Sequence, residues 1–379
     1  MLPKINGITV PLDWSKIDTC AGGCTHGNYS WSTFDGSLSS YISGSGNFCK
    51  GAVLCKLNFE VNAASGSSPN TATPSYVFTL GWAHTCCGGT ATPLDVCFCS
   101  GYPGSGSSSG CNQTDSSGVP ASWERQFWSA YENFITEVIT HFGSDASYKA
   151  QVGYIRLGIA TGGGGVIPCP TQEMTVPSGA PLSLTVWQAY ANTIFSYAAS
   201  QSPPMIIEGS GYGGENIYIT NAWADAVATA AISNGAGYGA ESLAFHDLTL
   251  HASGSPCSND WCNIFDSNFI NSPKMLGLQT ISPSDPSCTS DPGAALTCSL
   301  VYVLPFATER HANVFELGYP DLLCAYDNSS PEYTSAYCPS GYAPYGPYKT
   351  AIANAEAGVP RGTSVIGGSA KVSGSATVK

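Results

Sequence analysis

The chain has 379 residues and a formal net charge of −13, from 13 Lys and Arg against 26 Asp and Glu. So few cations exclude a nucleic-acid binder, which needs a basic face to displace counterions, and a polybasic membrane patch. Charged residues make up 10% and hydrophobic residues 43%, enough for a sizeable core, and no run of about 18 apolar residues predicts a membrane span.

In chain order, short aliphatic segments alternate with helical patterns. Strands are expected at 8–14, 52–61, 151–160, 204–210, 241–250, 274–282 and 313–318. The clearest helix is 122–142, with Ser122 as its cap and Phe127, Tyr131, Phe134, Ile135 and Val138 at helical spacing. Further helices are expected at 184–200, 220–235 (ending on a C-cap at Gly235), 262–270 and 293–311, the last broken at Pro305. Strict alternation implies right-handed βαβ units and a parallel sheet. About seven units with no dinucleotide fingerprint after the first strand favour an α/β fold of the (β/α)8, TIM-like barrel type, irregular in places. The eighth strand is sought near Tyr76–Leu80. Residues 1–359 read as one such domain with a Cys-rich insertion at about 82–118. Residues 360–379 read as a Gly/Ser-rich tail or an added strand, a route to self-association.

Sixteen cysteines, several in close pairs (Cys20/Cys24, Cys49/Cys55, Cys257/Cys262, Cys288/Cys298), point to disulfides and an oxidising compartment. Sequons at Asn28, Asn112 and Asn328 agree with a secreted or cell-surface glycoprotein. The opening MLPKINGITV has no apolar h-region and reads as a mature chain.

Barrel chemistry comes from the C-terminal ends of strands. Two strands end in an acid: MIIEG gives Glu208 and NVFELG gives Glu316. Counted along the chain, these end the fourth and seventh strands. Here the chain resembles the large clan of retaining TIM-barrel glycoside hydrolases, whose acid/base and nucleophile sit at those two strand ends. The resemblance is architectural, covers about residues 8–330 and reaches no specific family. It implies Glu208 as acid/base and Glu316 as nucleophile; Ile207 stands where the clan has Asn. Glycosidic cleavage needs one protonated carboxyl for the leaving oxygen and one ionised carboxylate at the sugar carbon.

Arg156 would hold one acid ionised if it projects into the mouth. His246 and Asp247, Gln279, Trp14 beside Asp13, Tyr212 and Tyr319 are candidate substrate-binding residues, as strand-end polar groups or as rings for sugar faces. Each has a plain structural reading beside the functional one: a hydrogen-bonded strand end, a polar mouth pair or a core aromatic. TGGGG at 161–165 lacks the Lys-Ser/Thr of a phosphate loop, and the Cys-rich stretch lacks zinc-finger spacing, so neither a cofactor nor a metal is expected. The sequence thus supports a carbohydrate-cleaving enzyme. The competing reading is an inactive barrel that binds carbohydrate or builds a surface layer.

Overall fold

The computed structural model describes residues 7–20, 27–43, 56–64, 71–80, 95–96, 119–120, 122–144, 148, 151–159, 183–209, 221–240, 275–279, 299–309, 312–326, 338, 344–358 and 365–369. Its centre is a barrel of parallel strands: β1 (Gly7–Asp13), β2 (Lys56–Asn62), β3 (Val152–Gly158), β4 (Met205–Gly209), β5 (Gly237–Ala240), β6 (Leu276–Gln279) and β7 (Val314–Gly318). These form a nearly closed ring, each strand pairing in parallel with the next. A further strand, β8 (Val365–Ser369), pairs in parallel with both β7 and β1 and fills the gap.

The helices are α1 (Trp14–Ile17), α2 (Ser32–Ser43), α3 (Arg125–Ser144), α4 (Leu184–Ala199), α5 (Asn221–Asn234), α6 (Leu300–Glu309), α7 (Tyr319–Tyr326) and α8 (Gly346–Gly358). Successive residues of a strand face opposite sides. Ile8, Val10 and Leu12 of β1, Leu57, Phe59 and Val61 of β2, Ile155 and Leu157 of β3, and Phe315 and Leu317 of β7 all join the main buried core. That core also takes the inner stripe of α3: Phe127, Tyr131, Phe134, Ile135 and Val138. The other strand face is the lumen, where Tyr154, Ile206 and Val314 make a small separate cluster.

The helix ends follow local chemistry. Ser183 caps α4, accepting from the Val186 N–H at 3.2 Å. Gly235 stops α5 with φ 67°, while Gly235 N–H reaches Ile232 O and Ala236 N–H reaches Ala231 O, which is a Schellman closure. Helix α3 opens at Arg125, after Ser122.

The structure departs from the sequence expectations at several elements. The stretch Ser75–Thr79 is a short 3-10 helix, not a strand; the Tyr76 hydroxyl donates to Asp18 Oδ2 at 3.0 Å and its ring packs edge-on to Trp14. The strand that fills the ring comes instead from the C-terminal Val365–Ser369, which is taken up by the chain's own barrel. Gly237–Ala240 forms the fifth strand, and the expected elements at 241–250 and 262–270 lie outside the described residues. Helix α6 runs through Pro305; the carbonyl that loses its partner belongs to Val301, on the exposed face.

Glycines on the lumen side of β5 and β6 make room for Ile206. A Cβ added at Gly239 would meet Ile206 Cγ2 at 2.7 Å. Gly239→Ala is therefore expected to cost about 1–3 kcal/mol in urea unfolding, with part recovered by Ile206→Val. Equal stability of Gly239→Ala and the parent would show the lumen to be looser than described.

One disulfide is described between named partners, Cys324–Cys338, tying α7 to the segment before α8, with Cα atoms 5.4 Å apart. Cys20 is also disulfide-bonded. The other cysteines, including those of the expected local pairs, lie outside the described residues, as does most of 82–118 apart from a two-residue ladder, Asp95–Val96 with Val119–Pro120. No helix among the described residues is long and apolar enough to cross a membrane.

Candidate active site

The lumen is polar where three strands alternate polar residues with core residues. Thr9 on β1, Asn58 and Glu60 on β2, and Tyr154 and Arg156 on β3 occupy every second position and face inward. Glu208 on β4 and Glu316 on β7 come in from the other side. Asn58 sits low in the lumen, accepting from the Tyr154 N–H at 3.2 Å. Gly153 leaves it space, since a Cβ there would meet Asn58 Oδ1 at 2.4 Å.

Arg156 is the hub. Its Nε lies 3.0 Å from Glu208 Oε2, its Nη1 donates to Glu316 Oε2, and its Nη2 donates to Glu60 Oε2 at 2.5 Å. Glu316 Oε1 accepts from Thr9 Oγ1 at 3.1 Å and from the Tyr154 hydroxyl. The two candidate carboxylates thus share one guanidinium. Their contacting oxygens are separated by no more than that group's width and two short polar contacts. This bound admits both the retaining spacing, about 5–5.5 Å, and the inverting one, about 6.5–9.5 Å.

Glu208 and Glu316 are 1% and 2% exposed, and Arg156 is 3% exposed. A cavity of only about 10 Å³ lies among Arg156, Ile206, Glu208, Val314 and Glu316, about the space of one water. The segments that follow β3, β4, β5 and β6 lie outside the described residues.

Burial raises the Glu316 pKa above the ordinary glutamate range; Arg156 and the bonds from Tyr154 and Thr9 oppose this without cancelling it, and the Glu60 charge adds to the rise. Tyr154 is pushed well above the usual phenol range by burial and then by the Glu316 charge. For Arg156, burial alone would favour the neutral form, but Glu208, Glu316 and Glu60 together hold it firmly cationic. Three acids around one cation would carry excess negative charge if all were ionised. Buried like charges resolve such a conflict by retaining a proton.

A raised folded-state pKa has a definite sign in stability. The Glu316 contribution is fully present below the ordinary glutamate range and is lost as pH rises through the raised value. Urea midpoints measured from about pH 4 to pH 8 should fall with rising pH more steeply in the parent than in Glu316→Gln. Parallel curves would contradict this.

The sequence candidates divide as follows. Glu208, Glu316 and Arg156 come together. Trp14 does not reach the lumen: it is fully buried against α3, stacked on Phe134 at 5.4 Å, with its indole N–H donated to Asp18 Oδ2 at 3.1 Å. It is a core ring because it follows β1 into α1 on the helix side of the strand. Gln279 ends β6 in register with Glu316, and Tyr319 opens α7 just after β7; their side chains are outside the description. His246, Asp247 and Tyr212 lie outside the described residues altogether. Thr9, Glu60 and Tyr154 were missed. Their signal was a polar residue at every second position of strands buried on both faces, where parallel strands are ordinarily aliphatic throughout.

Fold and site together define an α/β barrel of parallel strands, compatible with a TIM-like fold, with a buried carboxylate–guanidinium cluster in its lumen. No protein-family model matches the chain, and no curated protein matches it in sequence.

Proposed function

We propose that this protein is a secreted glycoside hydrolase acting on a neutral oligo- or polysaccharide, with Glu208 as acid/base and Glu316 as nucleophile. The observation that carries the reading is that these glutamates, on the fourth and seventh barrel strands, both engage Arg156. Glu316 is oriented by Thr9, Tyr154 and Arg156, which suits an anion that must attack along one line. Its raised pKa makes it, once ionised, a stronger base than an ordinary glutamate. Glu208 lies 3.0 Å from the same guanidinium, across the lumen from the acid of β7, the place for a proton donor to the leaving oxygen. Sixteen cysteines and the Cys324–Cys338 bridge support secretion.

A second reading has its own observation. The near-complete burial of both acids, with Ile207 where the resembled clan has Asn, favours an inactive barrel that binds carbohydrate or builds a surface layer, with the cluster as an internal tie. Hydrolysis of a panel of aryl glycosides and polysaccharides, compared among the parent, Glu208→Gln and Glu316→Gln, separates the two. Activity lost with both changes supports the enzyme. Activity indifferent to both removes the site, and an inert parent leaves the second reading.

A further inference from the structure

The polar alternation of β1 and β2 continues one step beyond the carboxylate layer. Inward positions on β1 run Thr9, Pro11, Asp13, and on β2 they run Asn58, Glu60, Asn62, paired in register along both strands. Asp13 and Asn62 are the last of these, about 6.5 Å of strand rise beyond the level of Glu60. Unlike Glu208 and Glu316, both are only partly buried, as is Glu60. Asn62 Nδ2 donates to Asp13 Oδ1 at 3.1 Å.

Asp13 also occupies the N-cap position of α1. An Asp there ordinarily accepts a backbone N–H from the helix's first turn. This one makes no side-chain cap bond. The carboxylate is turned to Asn62 instead, and among the described residues Asp13 Oδ2 has no partner. A partly buried acceptor, bonded to a neighbouring amide at the C-terminal end of a barrel strand, thus stands at an inward position without a cap bond. Next around the ring, β3 ends at this level in Gly158, which puts no side chain there.

Resting on the glycoside hydrolase reading above, we propose that Asp13, oriented by Asn62, is a sugar-hydroxyl subsite that determines substrate specificity. Its free oxygen accepts from a hydroxyl of the sugar unit whose glycosidic bond faces Glu208 and Glu316. Arg156 is already engaged by Glu60, Glu208 and Glu316, and Asp13 adds a further carboxylate at the strand ends. The subsite therefore takes neutral or amino sugars and repels uronates.

The test is a substrate cycle with p-nitrophenyl glycosides: a neutral parent sugar, its four monodeoxy analogues and the matching uronide. Asp13→Ala and the near-isosteric Asp13→Asn are compared with the parent protein, with thermal unfolding confirming that each variant is folded. The parent is expected to lose about 10- to 100-fold in kcat/KM on one monodeoxy analogue, and Asp13→Ala the same factor on the full sugar with nothing further on that analogue. Equal losses from deoxygenation in parent and variant, or a uronide cleaved as well as the neutral sugar, would overturn the subsite. Calorimetric titration of Glu316→Gln with the neutral glycoside keeps the two ideas apart. Sugar bound or cleaved with no dependence on Asp13 removes only the subsite; no binding and no cleavage removes the enzyme reading with it.

Discussion

Glu316→Gln is expected to lower kcat/KM on any cleaved glycoside by on the order of 10⁴-fold or more while leaving the barrel folded. The amide keeps the shape of the side chain and can still accept from Thr9 and Tyr154. It cannot attack the sugar carbon or carry charge opposite Arg156. Glu208→Gln should behave differently. Its role is proton donation, worth about 10²–10⁴-fold, so its loss should depend on the leaving group. A nitrophenolate leaves without much help, whereas a sugar hydroxyl does not. The ratio of the two variants' activities on an aryl glycoside and on an oligosaccharide therefore reads the roles directly. If Glu316→Gln shows the leaving-group dependence and Glu208→Gln does not, the assignments are reversed. In the parent, the acid limb of the pH–rate profile should lie above the ordinary glutamate range, because Glu316 must lose its proton from a raised pKa.

Arg156→Met carries the largest expected cost in stability. Arg156 is 3% exposed and contacts Glu60, Glu208 and Glu316, so its removal leaves three acids without their shared cation. Breaking a buried ion pair by removing one partner costs about 3–5 kcal/mol, and here one partner serves several. The loss should be greatest at neutral pH and should shrink as the medium is acidified, because protonated glutamates no longer need the cation. Arg156→Lys should fall between the two: it restores the charge, but one ammonium cannot reproduce the fork that reaches three separate carboxylates. Urea unfolding at about pH 4.5 and pH 7.5 would read this. A deficit in Arg156→Met that does not change with pH would mean that lost packing, not unbalanced charge, dominates.

The lumen shows how the fold turns a modest sequence signal into a strong electrostatic one. Tyr154 and Arg156 are two residues apart on β3, which alone says only that they share a face. Closure of the ring brings Glu316 against both from a strand some 160 residues away in the chain. Thr9 reaches the same carboxylate from β1 because β1 lies near β7, with only β8 between them.

Several elements were legible because their physics is local. The stripe on α3, the Gly235 closure and the aliphatic faces of β1 to β4 follow from spacing, capping and pleat, which need only nearby residues, whereas the expected Ser122 cap lies short of the helix start at Arg125. Glu208 and Glu316 could be singled out because each ends an aliphatic run, and Arg156 because it interrupts one.

What only the tertiary structure decided depended on distant partners. GYGA has no strand signature; Gly237–Ala240 becomes a strand because its glycines fit against Ile206 of β4. The Gly-rich Val365–Ser369 becomes one because β7 and β1 leave two unpaired edges between them, and backbone hydrogen bonds can fill that gap with little help from side chains. Trp14 reads from the sequence either as a sugar-stacking ring or as a core ring, and the packing of α3 against the strands makes it core. Whether two acids form a site is a matter of ring closure and of a guanidinium between them, and no local rule in the sequence contains either.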